Sequence, residues 1–204
     1  TVQDVEPRGT AIWPVGLNEP AAMPEELVGL SYLIGSLSGD VLLMYGGFFS
    51  RVLSAAFSAS LAAGPCFFER RGLDVSPPLE FMPRCRYYVP ELKMTLDPTV
   101  SVSFYEVLEA MDVDPDLCRA CLRYVDGNGL EGLTEMADID VFEHNLLTKR
   151  QELVHMSLCN DPVADALERL LWIDRNRRFF SPIHGLGHVK RWIAALSSID
   201  REGW

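Results

Sequence analysis

The stretch VFEHNLLTKRQELVHMSL (residues 141–158), followed across Asp161-Pro162 by VADALERLLWID (residues 163–174), decides the fold class. Apolar residues recur there at three- and four-residue spacing, the period that places side chains on one face of an α-helix. Asp161-Pro162 is a start signal, since an aspartate can cap and a proline is tolerated in the first turn. The spacing therefore predicts two consecutive helices. Tyr105 to Met111 and Leu117 to Tyr124 show the same recurrence, and a last helix is expected from about Gly187.

Toward the N-terminus, Glu25 to Leu37 reads as a first helix. Pro24 precedes it, and two glutamates in its first turn favour the dipole. Val41 to Ala63 reads as a second helix, loosened by Gly46-Gly47 and stopped at Gly64-Pro65. Its Ser54, Ala55, Ser58, Ala59, Ala62 and Ala63 form a small-residue stripe that would let another backbone approach. From Cys66 to Pro98 prolines interrupt the chain every few residues, so Phe81 to Val89 and Thr99 to Phe104 read as short strands or extended segments. The expected class is mainly α, a bundle-like helical domain with an irregular Pro-rich middle and short strands, with α+β as the alternative. Residues 1–24 read as an extended arm, 25–98 as an N-terminal helical part carrying the Pro-rich segment, and 99–204 as a C-terminal helical part.

Composition narrows the function classes. Of 204 residues 48% are hydrophobic and 23% charged, the balance of a folded domain and not of a disordered chain. A net charge of −11 disfavours nucleic acid as a partner, because the phosphates would be repelled outside short basic runs such as Arg175 to Arg178. Protein–protein contacts or a homo-oligomer are the expected partners. Arginine outnumbers lysine fifteen to three, a bias that suits interfaces, where the planar guanidinium satisfies several acceptors. The chain opens on Thr1, which reads as processing or trimming. No basic segment precedes an apolar run near it, so no signal peptide is expected. The apolar region Leu27 to Gly64 is broken by Asp40 and Arg51, so no membrane span is expected either. An odd count of five cysteines suggests reduced thiols and a soluble, intracellular protein. Cys118-Arg-Ala-Cys121 has metal-ligand spacing, but no second pair follows. The pair is expected one turn inside a helix, as buried thiols.

Two segments suggest chemistry. Tyr124 to Glu135 contains Asp126, Asn128, Gly129 and Glu135 in calcium-loop register. Tyr124 stands where the first carboxylate belongs, however, and a turn between helices is the expected structure. Phe180 to Arg191 includes His184-Gly-Leu-Gly-His188-Val-Lys-Arg191, which resembles the opening segment of some HD-domain metal-dependent phosphohydrolases. The resemblance implies a divalent metal ion with His188 as ligand, and His184 and Arg191 as its neighbours. The family's His-Asp pair has no counterpart here, because His144, His155, His184 and His188 precede Asn, Met, Gly and Val. On that reading the chain is an N-terminal fragment of such an enzyme. No phosphate-binding glycine loop or serine elbow occurs, and no catalytic or cofactor-binding residue is assigned. The leading expectation is a non-enzymatic structural or interaction subunit of a larger assembly, a coat or shell protein being one concrete form. The metal-dependent phosphohydrolase fragment is the alternative.

Overall fold

The computed structural model describes residues 9–14, 17–44, 46–62, 86–180, 183 and 186–201. It is mainly α with a few short strands. Two helices form largely where their signals lie: α1 spans Pro24–Ser36 and α6 spans Pro162–Asn176. In α6 the Asp161 side chain accepts from the Ala164 backbone N–H at 2.9 Å, the capping bond that its sequence announces. The helix α5, Asp138–Leu158, is the longest among the described residues at 21 residues, and α7 spans Gly187–Arg201. Among the described residues no helix is long and apolar enough to cross a membrane.

The expected second helix divides into three elements. Asp40–Met44 is a strand, β2, Phe48–Ala56 is α2, and Ser60–Ala62 is β3. Gly46-Gly47 is the break, and Ser58 turns the chain with a φ of 53°. The small-residue stripe is consequently shared between a helix, a turn and a strand instead of lining one face. Residues 9–12 of the N-terminal arm form β1, which pairs with β2 in parallel, as β2 does with β3. From Gly9 to Ala62 the described elements thus form a β1-α1-β2-α2-β3 unit, whose helices serve as the crossovers that parallel strands require. The helix α1 packs on α7, and α2 packs on α5 and α6, so the small sheet is joined to the helical remainder.

Gly47 shows how tightly that junction is built. The Glu19 carboxylate, buried and 28 residues away, accepts from the N–H groups of Gly47 at 2.8 Å and Phe49 at 2.9 Å. It also accepts from the backbone and hydroxyl of Ser50. A carboxylate there satisfies the unpaired amides of the first turn of α2 and suits its dipole. A β-carbon on Gly47 would stand 2.5 Å from Glu19 Oε2, so glycine is required for the approach. The Glu19 carbonyl in turn accepts from Trp192 Nε1 at 3.0 Å, which ties α7 to the same point.

The Pro-rich middle is described only from Arg86 onward. Tyr87–Val89 (β4) and Met94–Leu96 (β5) form an antiparallel hairpin, so the end of the expected Phe81–Val89 strand is present. Thr99 to Phe104 is helical, within α3, Pro98–Ala110. The side chain of Asp97 accepts from Thr99 N at 3.0 Å, and Pro98 occupies the first turn. That cap outweighs the strand preference of Thr99, Val100 and Val102.

Removing the Glu19 carboxylate strands several buried amides at once. Glu19→Ala is expected to lower stability by about 1–3 kcal/mol, measured by urea unfolding, with a smaller loss in Glu19→Gln, which keeps one acceptor oxygen.

Candidate functional site

The candidate site lies on the inner face of α5, which is unusual in being polar. Seven residues of this helix are buried: Val141, His144, Asn145, Thr148, Lys149, Glu152 and Met156. Five of these seven are polar. The large apolar side chains Ile139, Phe142, Leu146, Val154 and Leu158 point outward instead, Ile139 at 71% and Leu158 at 79% exposure. Buried polar groups and exposed apolar ones are the departures from ordinary burial that ask for an explanation.

The inner face is held by the edge of β4. Asn145 Oδ1 accepts from Tyr88 N at 2.8 Å, and Asn145 Nδ2 donates to the Arg86 carbonyl at 2.8 Å. His144 Nε2 lies 2.7 Å from the Tyr88 carbonyl oxygen. A carbonyl only accepts, so Nε2 carries a proton. Side chains of α5 thereby pair with the strand as a neighbouring strand would.

The other ring nitrogen of His144 faces sulfur. Nδ1 is 3.2 Å from Cys118 Sγ and 3.1 Å from Cys121 Sγ, and the two sulfurs are 3.6 Å apart. All three residues are buried, and the Tyr87 ring stacks on the imidazole with centroids 3.9 Å apart. The Tyr87 hydroxyl is 2.9 Å from Cys121 Sγ. The cysteine pair does not sit one turn inside a helix. Cys118 caps α4, Arg119–Val125, and Cys121 is its third residue. The helix starts later than expected, and ahead of it Asp116 N donates to Glu91 Oε1 at 3.0 Å, a partner 25 residues away. The hydrogen bond from Cys121 draws the Cys118 thiol down to about 4; burial opposes this and the His144 imidazole assists it. Cys121 is pushed up by that same bond and by burial. The two thiols titrate as a coupled pair, one drawn down and the other pushed up by the bond they share.

Two turns on from His144, Glu152 collects two cations. Lys93 Nζ approaches Oε1 at 2.5 Å and Arg51 Nη2 approaches Oε2 at 3.0 Å. Tyr88 donates its hydroxyl to Oε2 at 2.8 Å and accepts from Arg51 Nη2 at 2.8 Å. All four side chains are buried. Lys93 reaches this position from a backbone φ of 59°, a left-handed conformation that a lysine adopts only when its surroundings compel it. Burial disfavours the Glu152 carboxylate, but the Lys93 and Arg51 charges outweigh it and hold the carboxyl below its ordinary range. A cavity of about 760 Å3 opens beside this network, lined by Lys93, Glu91, Thr148, Glu152, His155 and Arg169 among others. Burial pushes the Glu91 carboxyl up in the same place.

The residues singled out by sequence lie elsewhere. His188 is buried in α7, its Nε2 3.3 Å from the Leu92 carbonyl and its ring edge-on to Trp192 at 4.6 Å. Among the described residues it joins no cluster of three metal-ligating side chains. His184 lies outside the described residues. The Tyr124 to Glu135 loop is a turn followed by a short 3-10 helix at Leu130–Glu135, with Gly127 and Gly129 at positive φ. Its Tyr124 hydroxyl donates to Asp140 at 2.6 Å. A second cluster, His155, Cys159 and Asp165, is more exposed, and Arg169 Nη2 approaches His155 Nε2 at 2.8 Å, which places a cation where a metal would sit. Sequence reasoning missed His144 and Glu152. The signal was the run of polar residues at 144, 145, 148, 149 and 152, which is itself helically spaced.

Deleting one member of a buried charge group leaves the others uncompensated. Glu152→Gln is expected to lose about 3–5 kcal/mol near neutral pH. Because the folded carboxyl lies below its unfolded value, its contribution is complete above the ordinary glutamate pKa of about 4.3. It is lost as pH falls through the lower folded value. Chemical unfolding at stepped pH should show the gap between wild type and Glu152→Gln narrowing only below that range. Comparison with protein-family models, curated proteins and solved structures returned no match.

Proposed function

We propose that this chain is a non-enzymatic assembly subunit that associates with a second copy of itself through the outer face of α5. The observation that carries the reading is the outward apolar row of Ile139, Phe142, Leu146, Val154 and Leu158 on α5. Large apolar side chains gathered on one exposed helix face, with Glu143 and Arg150 among them, support an interaction surface.

The occupant follows from the distribution of charge along that face. Glu143 and Arg150 flank Leu146 on α5. An antiparallel pairing of two α5 helices about a dyad beside Leu146 sets Glu143 of one helix against Arg150 of the other. The same register sets Ile139 against Val154. A two-fold interface must be self-complementary in this sense, and flanking charges that pair across the seam select the orientation. Glu143 already receives Arg123 at 2.6 Å, so the acidic side of that seam is held in place.

Light scattering across a concentration series tests this. Wild type is expected to run as a dimer or larger, and Leu146→Asp is expected to weaken association more than tenfold while leaving the fold intact. A chain carrying both Ile139→Cys and Val154→Cys should cross-link between subunits on oxidation. A wild type that stays monomeric at every concentration would overturn the reading.

A further inference from the structure

We propose that Cys118 Sγ, Cys121 Sγ and His144 Nδ1 form a site for a divalent zinc ion, with a fourth position left to a small ligand. This goes beyond the assembly reading and is independent of it, because His144 lies on the inner face of α5, with the two cysteines on α4 beside it, and the proposed interface lies on the outer face.

Geometry carries the inference. Zinc binds thiolate sulfur at about 2.3 Å and imidazole nitrogen at about 2.0–2.1 Å in a tetrahedral arrangement. Those lengths separate two sulfurs by about 3.8 Å and a sulfur from a nitrogen by about 3.5 Å. The three donors stand 3.6, 3.2 and 3.1 Å apart, so a few tenths of an ångström of outward movement would seat the ion. The cysteines come from one side at C-x-x-C spacing, and the imidazole comes from the neighbouring helix.

The surroundings are those of a ligand set. A metal-binding histidine gives its second N–H to an acceptor that fixes tautomer and ring orientation, and His144 Nε2 has the Tyr88 carbonyl at 2.7 Å. Tyr87 stacks on the ring and brings its hydroxyl to Cys121 Sγ, where it can donate to a thiolate. Two thiolates and a neutral imidazole balance a dication, which suits a buried site far better than an isolated charge would. Binding releases to solvent the protons that the two sulfurs and His144 Nδ1 carry, and no oxidation is involved. Thr148 Oγ1 lies 3.4 Å from Nδ1, and Thr148 also lines the cavity, which brings a cavity-lining hydroxyl beside the ligand set.

The test uses the full chain, purified with a reductant, stripped by a chelator and titrated with Zn2+ against a chromophoric competitor, then separately with Co2+. One ion per chain is expected, and the Co2+ form should show a thiolate-to-metal charge-transfer band in the near ultraviolet. Cys121→Ser and His144→Gln should each weaken Zn2+ binding more than about 100-fold, and Tyr87→Phe by about 10-fold. Leu146→Asp should leave metal content unchanged, which separates this proposal from the assembly reading. The Co2+ spectrum of wild type reports ligation even if a variant fails to fold. Three results would each overturn the proposal: absence of stoichiometric binding, a Co2+ spectrum without the thiolate band, or Zn2+ retained by both Cys121→Ser and His144→Gln.

Discussion

The two backbone groups of Tyr88 are satisfied by side chains of α5, and much of the structure depends on that arrangement. Asn145 takes the N–H and His144 meets the carbonyl, so a helix does for β4 what a third strand would otherwise do. A buried strand edge without partners costs about 1–3 kcal/mol for each stranded group. The bonds therefore fix the rotation of α5 about its own axis. Once 144 and 145 face the hairpin, Thr148, Lys149 and Glu152 must face inward as well, because residues three and four apart share a helix face.

That rotation explains features that are otherwise unrelated. It carries His144 to the Cys118 and Cys121 sulfurs, and Glu152 to Arg51 of α2 and Lys93 of the hairpin. The charge group joins three elements through one carboxylate, and the sulfur–imidazole group joins α4 to α5. The rotation also turns Leu146, Val154 and Leu158 outward. The polar interior and the apolar exterior are thus one fact seen from two sides. A helix of this kind contributes little by burying its own apolar surface and is held mostly by directional bonds.

Much of the fold was legible in local signals. Asp161-Pro162 and Pro24 with its following glutamates start helices where the structure has them, because caps and first-turn residues act within a few positions. Val41 to Ala63 was misread, since Val41-Leu-Leu-Met44 is apolar at every position although Leu42 faces outward, and periodicity does not separate so short an apolar run from a helix. The metal-like cluster was half legible. Cys118 and Cys121 stand at ligand spacing, but His144 follows 23 residues after Cys121 and becomes their neighbour only when α4 and α5 pack. Glu19 is a similar case: its role as the cap of α2 depends on a contact between positions 28 residues apart, and no local pattern marks it. Apolar residues along 141–158 marked the helix but not the face it buries, since that face is set by bonds to Tyr88, more than fifty residues away.

The inward orientation of the polar face of α5 is the claim on which the site, the interface and the rotation argument all stand. Its most direct test is the unfolding free energy of Asn145→Leu, measured by denaturant titration. Leucine is apolar and of similar size, so a helix buried in the ordinary way would be unchanged or stabilised by it. The account predicts a loss of about 1–3 kcal/mol, since the Tyr88 N–H is left buried without an acceptor. An Asn145→Leu chain as stable as wild type, or more stable, would contradict it.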